Sequence, residues 1–226
     1  MHDTVRRFDK PEFRRAMIAY GPQTLPIVLA TAAFAGILTV VQSAVYVNKY
    51  AAYDFVGWFC GFAAFREAGP LIVGLMFSGR VGSSHCAELA SMRGREQLDA
   101  LRVLGLDVYR VLIIPRAVAM VLCLVALLMF ADLAAILAST AAARLILGVH
   151  HEVFLTSLQA RLWPTDVAIG VVKAGFFAVI VACVSTHYGL RGKMGSASVG
   201  AAVTAQVTVC ATLIFCVNLV LTWILP

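Results

Sequence analysis

Apolar residues run through this chain in stretches long enough to cross a bilayer, and short segments between them hold most of the charge. A spanning helix needs about 20 predominantly apolar residues. Five stretches reach that length, over 22–47, 56–79, 111–143, 167–186 and 199–225. The third is longer than a membrane needs, as expected of a helix that tilts or extends past the lipid. The ten-residue alternation of a transmembrane barrel is missing. The pattern predicts an all-α integral membrane protein, one domain over 1–226.

Two further helices are expected outside the lipid. Over 8–21, Pro11 suits a first helical turn, and Phe13, Met17 and Tyr20 share one side while Arg14 and Arg15 lie elsewhere around it. Such a segment lies flat at the headgroup level. Over 92–105, Leu98, Leu101 and Leu104 recur at three-residue spacing with Glu96, Asp99 and Arg102 between them. Gly105 suits the end of that helix, and Asp107 can cap the next. About thirty residues separate the membrane cores here, either as a solvated connector or as a docking helix for a cytoplasmic protein.

Composition narrows the class. The chain is 61% hydrophobic and 13% charged, which excludes an ordinary soluble domain. The formal net charge of +6 is a topology signal rather than a nucleic-acid signal. Arg6, Arg7, Lys10, Arg14 and Arg15 precede the first span; Arg93, Arg95, Arg102, Arg110 and Arg116 follow the second; Arg191 and Lys193 follow the fourth. The opposite side carries only Lys49, Arg144 and Arg161. The positive-inside rule then sets the N-terminus in the cytoplasm and the C-terminus outside. No small-residue cleavage site follows the basic start, so a signal peptide is not expected.

Charges within the spans carry the functional reading. Arg66 and Glu67 fall near the middle of the second span, Asp132 in the third and Lys173 in the fourth. Each costs roughly 2.5–3.5 kcal/mol at the bilayer centre by insertion scales, so they need partners or water. Pro70 cannot donate to the carbonyl of Arg66, which leaves the backbone there partly unpaired. Arg66, Glu67 and Lys173 are expected to line or support a cavity; salt-bridging that fixes helix packing is the alternative. For Asp132, with no second charge near it in sequence, packing is the expected role.

Other chemistry is absent from the pattern. The six cysteines form no C-x-x-C pair and are expected to act as small apolar packing residues, without a disulfide frame or metal. His85-Cys86 lacks a local third ligand, and His150-His151-Glu152 is expected on an outer loop. Gly189-Leu190-Arg191-Gly192-Lys193 lacks the spacing of a phosphate loop, so the chain is expected to have no nucleotide site, no catalytic residue and no cofactor. Gly57 and Gly61 form a small-xxx-small pair that allows close helix approach.

Four words in the chain resemble the MlaE/YrbE family of ABC-transporter permeases: REAGP (66–70), LMFSGRVGSSHCAEL (75–89), MRGREQLDALRVLGLD (92–107) and IIPR (113–116). Weaker matches are KPEFR (10–14), the AD pair at 131–132, Lys173 and the last span, where Asn218 stands in place of the acidic residue of some members. The resemblance implies a five-span subunit of the bacterial inner membrane, paired with a second copy or paralogue around a phospholipid cavity. It implies a cytoplasmic ABC ATPase docked on 92–105, with Arg95, Glu96, Asp99 and Arg102 as polar contacts, and an MCE-domain protein that exchanges lipid outside. Arg66, Glu67, Lys173 and Asn218 are the cavity residues so implied. An ion-coupled secondary transporter and a non-transporting scaffold are the rival readings.

Overall fold

A computed structural model describes residues 10–191 and 196–225, with helical backbone but no side-chain account at 196 and 197. Arg6, Arg7, Lys193, the first two residues of the expected interfacial helix and the end of the 189–193 stretch lie outside the described residues. Every regular element among the described residues is helical, and five helical stretches are long and apolar enough to cross a membrane.

The elements are α1 (Lys10–Tyr20), α2 (Leu25–Tyr50), α3 (Tyr53–Gly94), α4 (Gln97–Val103), α5 (Tyr109–Leu147), α6 (His151–Arg161), α7 (Pro164–Arg191) and α8 (Ser196–Ile224). The second span is thus much longer than 56–79. Gly79 and Gly82 do not break it; the helix widens into a π turn over Ser78–Gly82 and continues to Gly94. Arg66 and Glu67 therefore sit nearer the start of this helix than its middle. Two other π turns occur, at Ala63–Ala68 and Tyr109–Ile113.

The helix expected over 92–105 is two pieces. Gly94 closes α3, Glu96 takes a left-handed conformation at φ 59°, and only α4 follows. At the far end Gly105, at φ 73°, lets the Leu106 N–H reach back to the Leu101 carbonyl at 3.0 Å. That closure leaves Leu104 exposed, so it drops out of the expected apolar row while Leu98 stays buried. Asp107 does cap the next helix: its Oδ1 accepts the Tyr109 N–H at 3.0 Å.

The segment 151–161, expected as loop, is α6. Its apolar residues are spread around the helix, so no periodicity marks it. It is held by α3 instead: methyl groups on Gly57 or Gly61 would collide with the Phe154 carbonyl oxygen or the Leu158 side chain. The Trp58 N–H donates to Ser157 Oγ at 3.2 Å, and that hydroxyl donates to the Asp54 carbonyl at 2.6 Å. The partner of the small-xxx-small pair is a short connector helix, not a span.

Contacts group the chain into two compact units. The first takes 10–24, 74–124 and the described part of 175–220; the second takes 25–73, 125–174 and 221–225. The first unit has a core of Leu89, Leu98, Val108, Leu112 and Ile113, onto which Met92, Leu101 and Leu190 pack, so α4 is held by its one apolar side. The long helices contribute different stretches to each unit.

Candidate functional site

Two cations and two carboxylates gather in the second unit, around the π turn of α3 at Ala63–Ala68. Pro70 has no N–H, so the Arg66 carbonyl lacks the donor an α-helix would offer it. Lys173 of α7 supplies one. Its side chain is 0% exposed, and Nζ donates to Arg66 O at 2.9 Å, to Glu67 Oε1 at 3.0 Å and to Thr222 Oγ1 at 2.9 Å. An ammonium has three donors, and all three are used. The Thr222 hydroxyl in turn donates a hydrogen bond to Glu67 Oε2 at 3.1 Å.

Arg66 turns to other partners, as adjacent helical residues must. Its Nη1 donates to Asp166 Oδ1 at 3.1 Å and its Nη2 to the Leu225 carbonyl at 2.7 Å, with the guanidinium 5.3 Å from the Phe62 ring centre. Asp166 is itself fixed: Oδ2 accepts the Trp163 N–H at 3.0 Å, the reach-back of a third-position acid at a helix start. The cluster is formally neutral, two cations against two carboxylates. Its most open side chain is Glu67, at 31% exposure, against 14% for Arg66.

Three of the four expected cavity residues are thus joined in one network, and Lys173 is a buried support within it. Asn218 is not part of it; it belongs to the first unit's share of α8, where its Oδ1 is buried without a hydrogen-bond partner. Asp166 and Thr222 complete the cluster and were not among the expected residues. Asp166 carried a signal, an acid in the first turn after Pro164; Thr222, one of several threonines in an apolar span, carried none.

Asp132 makes no ion pair among the described residues. It is 2% exposed, and its Oδ1 has no hydrogen-bond partner. With Gly36, Cys60, Ala64 and Gly69 it lines a narrow, mostly apolar crevice in the second unit. A methyl group at Gly69 would lie 2.7 Å from Asp132 Oδ1, so the glycine makes room for the carboxyl.

The four docking candidates are exposed, as a contact surface requires: Arg95 and Glu96 in the turn, Asp99 and Arg102 on α4. Arg102 Nη1 donates to Asp99 Oδ1 at 2.9 Å across one turn. In the same unit as α4, Arg116 ties α1 to α3. It is buried, with Nε donating to Glu12 Oε1 at 2.6 Å and Nη2 to Glu88 Oε1 at 2.9 Å. Counted by sequence as a loop charge, Arg116 is an internal hub. Beside it, a chain of contacts links Tyr20 Oη, the His85 ring and Thr186 Oγ1, each step 3.3 Å.

Among the described residues no three histidines, cysteines or carboxylates approach closely enough to hold a metal ion.

The chain is similar to known permease proteins along most of its length. A probable ABC transporter permease protein of Rickettsia conorii is 32% identical over 92% of this chain and 80% of its own length. One from Synechocystis is 31% identical over the whole of this chain and 86% of its own. The chloroplastic protein TRIGALACTOSYLDIACYLGLYCEROL 1 of Arabidopsis thaliana is 29% identical over 89% of this chain and 57% of its own. The description "Permease MlaE" matches residues 13–224. This chain is a multi-pass membrane protein of the MlaE permease family.

Proposed function

We propose that this chain is the membrane subunit of a lipid-moving ABC transporter, carrying phospholipid or a related lipid between the bacterial inner membrane and an MCE-domain partner. A separate cytoplasmic ATPase supplies the energy, and a second copy or paralogue completes the lipid cavity. The observation that carries this reading is the neutral charge cluster of Arg66, Glu67, Asp166 and Lys173, set within an apolar helix bundle with Glu67 as its open edge. Ionisable groups at membrane depth face pathways more often than they serve packing alone. The name of the Arabidopsis relative, which contains that of a galactolipid, supports a lipid cargo.

In this reading Arg66 and Glu67 meet the polar end of the cargo, and Lys173 holds the pair at its angle. Arg95, Glu96, Asp99 and Arg102 meet the ATPase, whose closure narrows the cavity and expels lipid. ATP moves cargo only if the two states bind it with different affinity. The basic residues Arg14, Arg15, Arg93 and Arg191 set these segments on the cytoplasmic side and the C-terminus in the periplasm. The test is lipid exchange between liposomes by the purified complex: exchange should depend on ATP, and equal rates with and without it would discard the mechanism.

A further inference from the structure

A second crevice, wholly within the first unit, is lined by Tyr20 of α1, Gln23 and Thr24 of the turn after it, and Arg80 and Ser84 of α3. Its empty space, which opens to solvent, is about 560 Å³. Each of these side chains is a hydrogen-bond donor, and no carboxylate stands on the wall. Two of them are unsatisfied. Thr24 is fully buried, yet its Oγ1 has no hydrogen-bond partner. Arg80 is exposed, and its guanidinium makes no hydrogen bond or ion pair among the described residues.

The local backbone frees Arg80 for an outside ligand. It sits in the π turn over Ser78–Gly82, and the Ser83 hydroxyl caps the Gly79 and Arg80 carbonyls. Gly79 adds space, since a methyl group there would meet nothing within 4 Å. An unpaired guanidinium on a membrane-crossing helix is costly unless it meets lipid phosphate or water. A buried hydroxyl without a partner is costly as well. A single oxyanion satisfies both, and Arg offers phosphate a two-pronged contact. Ile18 of α1, next in sequence to the lining residue Ala19 and 55% exposed, offers an apolar surface for acyl chains, and exposed Arg14 and Arg15 add positive field.

We propose that this crevice seats the phosphate of an anionic bilayer lipid, held by Arg80, Thr24 and Ser84 as a fixed ligand of the fold. The inference stands apart from the transport reading, since a resident lipid is held whether or not the complex moves cargo.

The test is native mass spectrometry of the full chain in detergent, titrated with phosphatidylglycerol, with phosphatidylcholine and inorganic phosphate as controls. Arg80→Gln should weaken phosphatidylglycerol binding about tenfold, the scale of one lost charge-assisted contact. Thr24→Val should weaken it about threefold, as a lost neutral hydrogen bond does. Inorganic phosphate should not compete, because it brings no acyl chain. Equal binding by the wild type and Arg80→Gln overturns the proposal. So does displacement of the lipid by inorganic phosphate alone, or an Arg80→Gln effect on oligomeric state with lipid binding unchanged, which assigns the crevice to a second copy. Should Arg80→Gln fail to fold, Arg80→Lys with Ser84→Ala answers the same question, and lipid affinity equal to the wild type in that variant overturns the proposal.

Discussion

The ammonium of Lys173 lies 2.9 Å from the carbonyl oxygen of Arg66, the acceptor that Pro70 leaves without an amide donor. A backbone defect in one helix is thus repaired by a side chain from another, and the same ammonium fixes Glu67. Removing it should leave three acceptors, Arg66 O, Glu67 Oε1 and Thr222 Oγ1, without that donor. Lys173→Met is expected to lower the melting temperature more than the Glu67→Gln/Lys173→Met double variant does. Their coupling should be about 0.5–3 kcal/mol, as for residues in one network. Thermal unfolding of the four members of the cycle in detergent checks this, and simple additivity would argue against a shared network.

Arg116 holds two carboxylates from different elements, Glu12 of α1 and Glu88 of α3. Arg116→Gln leaves both acids facing a neutral amide. The expected result is release of α1, read as faster protease cleavage near Lys10–Tyr20, with a stability loss of about 3 kcal/mol, the scale for breaking a buried pair from one side. Arg116→Lys should restore only part of it, because one ammonium cannot reproduce the fork of a guanidinium.

The glycines of α3 and α7 differ in a way that substitution can read. A methyl group on Gly57 meets the Phe154 carbonyl, and one on Gly170 meets the Phe65 carbonyl, whereas one on Gly175 meets nothing within 4 Å. Gly57→Ala and Gly170→Ala should destabilise by about 1–3 kcal/mol through overpacking. Gly175→Ala should be neutral or stabilise by up to about 1 kcal/mol through helix propensity. Chemical denaturation of the three variants measures the split.

The Asp99–Arg102 pair lies on the surface, with the two side chains 65% and 63% exposed. Such a pair contributes roughly 0–1 kcal/mol to stability. Asp99→Arg together with Glu96→Arg should therefore leave the circular dichroism melt almost unchanged. Under the proposed docking role the same variant should lose its ATPase during purification. Retention of the ATPase by a folded variant would remove that role.

Some of this architecture was readable from the residues, and some was not, for identifiable reasons. Spans were legible because lipid leaves no alternative to long apolar helices. The defect at Pro70 was legible too, since a missing N–H is a local fact. The repair by Lys173 was not, because it joins residues 107 positions apart. α6 escaped because it is anchored by glycines in another helix rather than by an apolar stripe of its own. The single helix expected over 92–105 failed at Glu96: its left-handed backbone is rare for a non-glycine residue, and the leucine spacing across it gave no warning. Arg116 was misplaced because a charge at the edge of an apolar run reads as solvent-facing until its two acidic partners are seen.

The wide turn over Ala63–Ala68 carries one more residue than a regular helical turn would. Shedding it ahead of Arg66 would swing Arg66 and Glu67 by about 100° relative to everything before Ala63. The aim of both charges is therefore set by a count of alanines as much as by chemistry. Length is the sensitive variable here: a one-residue deletion at Ala63 or Ala64 would point the cluster elsewhere while leaving every charged side chain in the chain.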